Sequence, residues 1–147
     1  MSNKPFVVLL VEDEEHDIVA VKRAWKQNNI ANPLHVVRSG AECLDYLHQR
    51  GKYSDPATAP APRLLLLDIK MPGMDGFAVL EEIRRDERLR RLPMVVLTGS
   101  DAGTDRNRSY DLGANAYIQK PLEFKDLSEA IGLINRFWEL AKLPVLG

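Results

Sequence analysis

The sequence predicts an α/β protein: a doubly wound, five-stranded parallel sheet with five helices on its two faces. Two observations lead there. Short apolar runs of strand length alternate with stretches of helical periodicity, five of each. Acids, a hydroxyl and a lysine directly follow four of those runs, at Glu12-Asp13, Asp68, Thr98 and Lys120. That placement suits parallel strands, whose carboxyl ends all open onto one edge of the sheet.

Phe6–Val11 is a continuous apolar run, suited to a strand buried on both faces. Glu14–Asn29 then has helical spacing, with Ile18, Val21 and Trp25 on one face and Lys22, Arg23 and Lys26 turned out. Asn32-Pro33 breaks it, and Leu34–Val37 gives a short second strand. Ser39 can cap the next helix, Ala41 to about Arg50, with Glu42 three residues on as a capping box requires. Gly51–Pro62 holds three prolines and reads as an exposed connection, long enough to carry a partner contact. Arg63–Leu67 is the third and most apolar strand. The turn Met71–Gly76 leads into a helix with Phe77, Leu80 and Ile83 inward. Pro93 opens the fourth strand, Met94–Leu97, and a fourth helix runs from Asp101 to near Leu112-Gly113. Asn115–Gln119 is the fifth strand, and Pro121 suits the first turn of a last helix, about Leu122–Leu140. Right-handed crossovers leave few topologies, of which we take the doubly wound order 2-1-3-4-5.

A chain of 147 residues with 28% charged and 45% apolar residues is an ordinary globular composition for one domain. We expect a single domain over 1–147, with a core at about 5–141 and a short tail at 142–147. A net charge of −1 lacks the basic footprint of direct DNA binding. The single Cys43 excludes an internal disulfide or a cysteine metal cage, and its neighbours Leu44 and Leu47 make it a buried apolar residue. No apolar run approaches the ~20 residues of a membrane span, and Met1–Pro5 leads straight into a strand without a signal peptide. A cytoplasmic protein with no membrane contact is expected.

Gathered at one sheet edge, Glu12, Asp13, Asp68, Thr98 and Lys120 form a set of three carboxylates, one hydroxyl and one ammonium. Each has an ordinary explanation alone. Glu12 and Asp13 can charge the start of the first helix, as can Glu14, Glu15 and Asp17. Asp68 can cap a turn, Thr98 is a β-branched strand residue, and Lys120 can be a surface lysine. Together they can bind a hard divalent cation, for which Mg²⁺ is the natural candidate. They can also bind a phosphoryl group, with Thr98 donating to its oxygen and Lys120 as a point charge. Asp68, a carboxylate leaving a buried strand, can act as a nucleophile and form an aspartyl phosphate.

Five segments together resemble bacterial response-regulator receiver domains. They are Val7-Val8-Leu9-Leu10-Val11-Glu12-Asp13, Leu66 to Gly76 with its Asp68-Ile69-Lys70-Met71-Pro72-Gly73, Val96-Leu97-Thr98-Gly99-Ser100, Gly113-Ala114 and Lys120-Pro121. The resemblance covers nearly the whole chain in the right order. It implies the flavodoxin-like receiver fold and a two-component phosphorelay function. By resemblance, Asp68 accepts a phosphoryl group from a sensor histidine kinase. Glu12, Asp13, Asp68 and the backbone carbonyl of Lys70 hold Mg²⁺, with Asp13 a more direct ligand than Glu12. Thr98 and Lys120 bind the phosphoryl group. Thr98 and Tyr117 form the switch, Thr98 moving inward and Tyr117 changing rotamer. The Lys120-Pro121 peptide is often cis in this family.

The family more often has aspartate where Glu12 stands, and Lys70 places a cation close to Asp68. Only about seven residues follow the last helix, so we expect no output domain and signalling by contact with a downstream protein or a phosphotransfer partner. The end, Phe137-Trp138-Glu139-Leu140 with Leu143-Pro144, is similar to stand-alone regulators paired with bacterial phytochromes. Three alternatives fit less well. A haloacid-dehalogenase type phosphatase, a true enzyme, wants an acid two positions after its nucleophile, where Lys70 stands. A flavin or nucleotide module wants a glycine-rich loop where Glu12-Asp13-Glu14-Glu15 stands. A degenerate receiver that only binds partners would not need the complete site. A homodimer is also expected. One stripe of the last helix, Phe124, Leu127, Ile131, Ile134 and Trp138, faces the sheet. Leu133, Phe137 and Leu140, continued by Leu143, Val145 and Leu146, form a second apolar face.

Overall fold

A computed structural model describes residues 4–145. The sheet has the order β2-β1-β3-β4-β5, and every neighbouring pair is parallel. Its strands are β1 (Val8–Val11), β2 (Leu34–Val37), β3 (Leu64–Leu67), β4 (Met94–Thr98) and β5 (Ala116–Gln119). The helices are α1 (Glu15–Gln27), α2 (Gly40–Leu47), α3 (Gly76–Arg85), α4 (Gly103–Asp111) and α5 (Phe124–Leu140).

The two-residue alternation of each strand divides the core between the two faces. Leu9, Val11, Leu65, Leu67 and Val96 point to the side covered by α2 and α3, among Cys43, Phe77, Leu80 and Ile83. Val8, Leu10, Leu64, Leu66, Val95 and Leu97 point to the side covered by α1 and α5, among Val21, Trp25, Leu127 and Ile131. The leucine run of β3 is central and shut off from solvent, so truncating one of these leucines to alanine costs about 2–5 kcal/mol.

Several boundaries differ from the sequence reading. β4 runs through Thr98, which places that hydroxyl inside the sheet. α4 starts at Gly103 rather than Asp101. α5 starts at Phe124 with Glu123 as its cap, so Pro121 lies ahead of the helix rather than in its first turn. No peptide bond among the described residues is cis, so Lys120-Pro121 is trans. Ser39 does cap α2, accepting from the Glu42 amide at 3.0 Å. The return bond is shifted by one residue: Glu42 accepts from the Arg38 amide.

The connection 51–62 is less free than expected. It opens with a 3₁₀ turn at Gly51–Tyr53, buries Ala59, and is pinned where the Tyr46 hydroxyl donates to the Pro60 carbonyl at 2.8 Å. The tail is also partly anchored. Leu143 packs against the α1/α5 core, and the Arg63 guanidinium donates to the Pro144 carbonyl at 3.0 Å. Of the apolar tail residues, Val145 is exposed, and Leu146 lies outside the described residues.

Candidate phosphoryl and cation site

The strand register brings the carboxyl ends of β1, β3, β4 and β5 to one edge. Asp68 leaves β3 and is buried; its amide donates to the Val11 carbonyl at 3.0 Å, which fixes it beside the end of β1. Gly76 is required close by, since a Cβ there would meet the Ile69 backbone. The edge opens into a cleft of about 870 Å³ whose lining includes Asp13, Asp17, Asp68, Lys70, Thr98 and Lys120.

Carboxylate oxygens of Glu12, Asp13 and Asp68 all lie within 4.8 Å of one another. Glu12 is 1% exposed and sits behind Asp13, which is half-buried. Both oxygens of Asp68 are engaged. Oδ1 accepts from the Thr98 hydroxyl at 2.8 Å and from the Lys70 amide at 3.0 Å. Oδ2 faces the Lys120 ammonium at 3.3 Å. Lys120 also contacts Glu12 Oε1 at 2.5 Å and Asp17 Oδ2 at 2.9 Å.

Three of the side chains make contacts that the sequence alone does not show. Thr98 is fully buried, with its hydroxyl on Asp68. The Lys70 side chain lines the same cleft as Asp68 and pairs with Asp105 of α4 at 3.0 Å. Asp17, which the sequence explains as a helix-end charge, faces Lys120 instead. Nothing in the sequence singles out Asp105 and Ser100. Asp105 accepts from the Ser100 hydroxyl at 2.6 Å, and the Tyr117 hydroxyl donates to the Ser100 carbonyl at 2.8 Å. Tyr117 thus ties β5 to the loop between β4 and α4.

Burial pushes the Glu12 carboxyl up to about 7, with the nearby Asp68 adding to the rise and Lys120 opposing it. Burial acts against the charged form of Lys120, but Glu12, Asp68 and Asp17 outweigh it and hold the ammonium charged. The Ser100 hydroxyl and Lys70 hold Asp105 below the usual carboxylate range. The centre therefore has more carboxylates than cations. All of its donors are oxygens, the set preferred by a hard divalent ion.

The response regulator receiver domain model matches residues 8–132. The chain belongs to the response regulator receiver family. This receiver is 40% identical over 144 residues to response regulator Rcp1 of Synechocystis, covering 97% of this chain and 96% of that one. The Mn(2+)-bound form of Rcp1 superposes with a TM-score of 0.86 at 39% identity, over 96% of this receiver and all of Rcp1. The phosphorylated cyanobacterial phytochrome response regulator RcpA gives a TM-score of 0.88 at 38% identity, over 97% of this receiver and 100% of RcpA. The probable methanogenesis regulatory protein FilR2 of Methanothrix harundinacea is 39% identical over 136 residues, 91% of this receiver and 84% of FilR2. The receiver is thus a two-component signalling switch of the kind that works with histidine kinases. Its fold is the flavodoxin-like one that the sequence pattern predicts.

Proposed function

We propose that this chain is a single-domain regulator over residues 1–147 that takes a phosphoryl group on Asp68. The observation that carries this reading is the pair of contacts on that carboxylate: Thr98 on one oxygen and Lys120 facing the other. A carboxylate oxygen of Asp68 attacks phosphorus. A P–O bond forms as the P–N bond of a phosphohistidine donor breaks, and the electron pair returns to the donor imidazole. Thr98 and Lys120 then bind phosphoryl oxygens. Glu12, Asp13, Asp68 and the Lys70 carbonyl would hold Mg²⁺, which supplies the positive charge that three carboxylates need before a phosphoryl dianion can approach. Phosphotransfer and dephosphorylation are self-catalysed at most.

The readout runs through Thr98 and Tyr117, since both touch the edge of the β4–α4 loop. The partner supplying phosphate is a phytochrome-type histidine kinase, a reading supported by the likeness to Rcp1 and RcpA. Output is by protein contact or onward phosphotransfer in the cytoplasm, without direct DNA binding. No helix among the described residues is long and apolar enough to cross a membrane. The receiver pairs as a homodimer through α5 and the tail, a reading supported by Leu133, Phe137 and Leu140, all more than 60% exposed on one side of α5.

Incubation with acetyl phosphate and Mg²⁺, followed by intact mass, tests the central claim. The expected result is the gain of one phosphoryl group, stopped by EDTA and absent in Asp68→Asn. Full labelling of Asp68→Asn at another residue sinks the assignment, and turnover of many substrate equivalents points to a phosphatase.

A further inference from the structure

Lysine has three ammonium donors. Those of Lys120 meet three different carboxylates, and the distances are graded: 2.5 Å to Glu12, 2.9 Å to Asp17 and 3.3 Å to Asp68. We propose that Asp17 is a positioning residue for Lys120: with Glu12 it holds two of the donors and leaves the third aimed at the oxygen borne by Asp68. This rests on the reading of Asp68 as phosphoacceptor.

The flexible four-carbon stem of a lysine loses entropy when it is fixed in one position. Glu12 is on the strand-end side of the ammonium and Asp17 on the α1 side, so together they grip it from two elements. Once Asp68 carries a phosphoryl group, its own carboxyl is no longer an anion. The donor that faced it is then free for a phosphoryl oxygen, while the other two bonds stay as they were.

Asp17 also brings negative charge near the phosphoryl group, which opposes binding. Contact wins over that repulsion. Lys120 is only 13% exposed and touches Asp17 directly, whereas Asp17 is half-open to water, which screens its longer-range effect. The helix-end explanation of Asp17 makes a different prediction. Glu15 lies in the same first turn but pairs with Arg38, away from Lys120. Removing its charge perturbs the helix end equally and leaves the lysine alone.

The test compares Asp17→Ala, Asp17→Asn and Glu15→Gln in the full chain. In the metal-free protein, the Lys120 ammonium gives a distinct ¹H–¹⁵N signal by NMR. It is expected to broaden away in Asp17→Ala, weaken in Asp17→Asn, which keeps one acceptor oxygen, and persist in Glu15→Gln. With saturating Mg²⁺, affinity for beryllium trifluoride, a phosphoryl mimic, is expected to fall about tenfold in Asp17→Ala, the loss of one charge-assisted hydrogen bond. Asp17→Asn falls between, and Glu15→Gln matches the unaltered protein. A Lys120 signal unchanged in Asp17→Ala overturns the proposal, whatever the fluoride affinity. If the unaltered protein binds no beryllium trifluoride but its Lys120 signal still depends on Asp17, the phosphoacceptor reading fails and the positioning role of Asp17 stands.

Discussion

The carboxyl edge of the sheet and the outer side of α5 depart from an ordinary protein surface in opposite directions. At the edge, charged groups are buried: Glu12, Asp68 and most of Lys120 are out of water. On α5, apolar groups are exposed: Leu133, Phe137 and Leu140 stand in solvent, one to two turns apart. The edge satisfies its own hydrogen bonds, since no buried side-chain nitrogen or oxygen among the described residues lacks a partner. What it lacks is positive charge. The face of α5 has no charge problem, but among the described residues nothing covers it. One region is thus poised for a cation and an anion, the other for a surface.

The largest effect is expected where that comparison is broken at the edge. Lys120→Ala leaves Glu12 and Asp68 without their cation. Removing one partner of a buried pair costs about 3–5 kcal/mol. The cost depends on pH. Below about pH 7 Glu12 takes up a proton in the folded state, so the pair matters less. Urea unfolding in EDTA is expected to show a large loss at pH 8 and a smaller one at pH 5. Equal losses at both would show that Glu12 is not the main partner. On the proposed reading, in which Lys120 binds the phosphoryl charge and does not transfer it, the variant is expected still to accept phosphate. It signals poorly, seen as a missing phosphate-induced shift at Tyr117 by NMR.

A second effect follows from Glu12 itself. Its folded pKa near 7 stands above the ordinary carboxyl value of 4.5. Between those values the folded protein holds a proton that the unfolded chain has released. Without metal, stability therefore falls as pH rises through this window and levels off above about 7. A cation needs the ionised form, so Mg²⁺ affinity runs the other way, climbing up to about tenfold per pH unit until it levels off near 7. Titration calorimetry at several pH values checks this; an affinity flat from pH 5 to 8 would separate Glu12 from the cation.

The same contrast governs what the sequence disclosed. The four strand ends that carry the site were legible because each closes a mostly apolar run, and parallel topology sends such ends to one place. Glu12, Asp13, Asp68, Thr98 and Lys120 meet for that reason. Asp17 was hidden because an acid in a first helical turn already has a local explanation, and its partner Lys120 is 103 residues away. The start of α5 was misplaced for a related reason. Leu122 reads as an apolar helix residue, yet it lies fully exposed in the loop before the Glu123 cap. Local pattern marks the face a residue prefers, and tertiary contact decides whether it gets it. The apolar outer side of α5 was legible, but the tail was assigned to it too readily, since Leu143 folds back on the core.

At α5 the expected effect on folding is small and on assembly decisive. Phe137→Glu with Leu140→Glu changes side chains already in water, so unfolding free energy moves by about 0.5 kcal/mol or less per site. Sedimentation is expected to show a dimer for the unaltered protein and a folded monomer for the variant. An unaltered protein that stays monomeric at high micromolar concentration, with or without phosphate, removes the dimer.

The smallest effect belongs to Lys70, which lies between the two regimes: two positions after Asp68, yet 58% exposed and paired with Asp105. An ion pair this open is screened by water, so Lys70→Ala should hardly change global stability. Its effect is local. Asp105 accepts from Ser100, and the Ser100 carbonyl accepts from Tyr117, so the pair fastens the first turn of α4 to the loop that bears Asp68. Without Lys70, amide exchange at 103–106 is expected to quicken while β1 and β3 keep their protection. Exchange that stays at its original rate in α4 would show that Asp105 is held by Ser100 alone, and that the side chain of Lys70 has no structural hold on the loop beside the site.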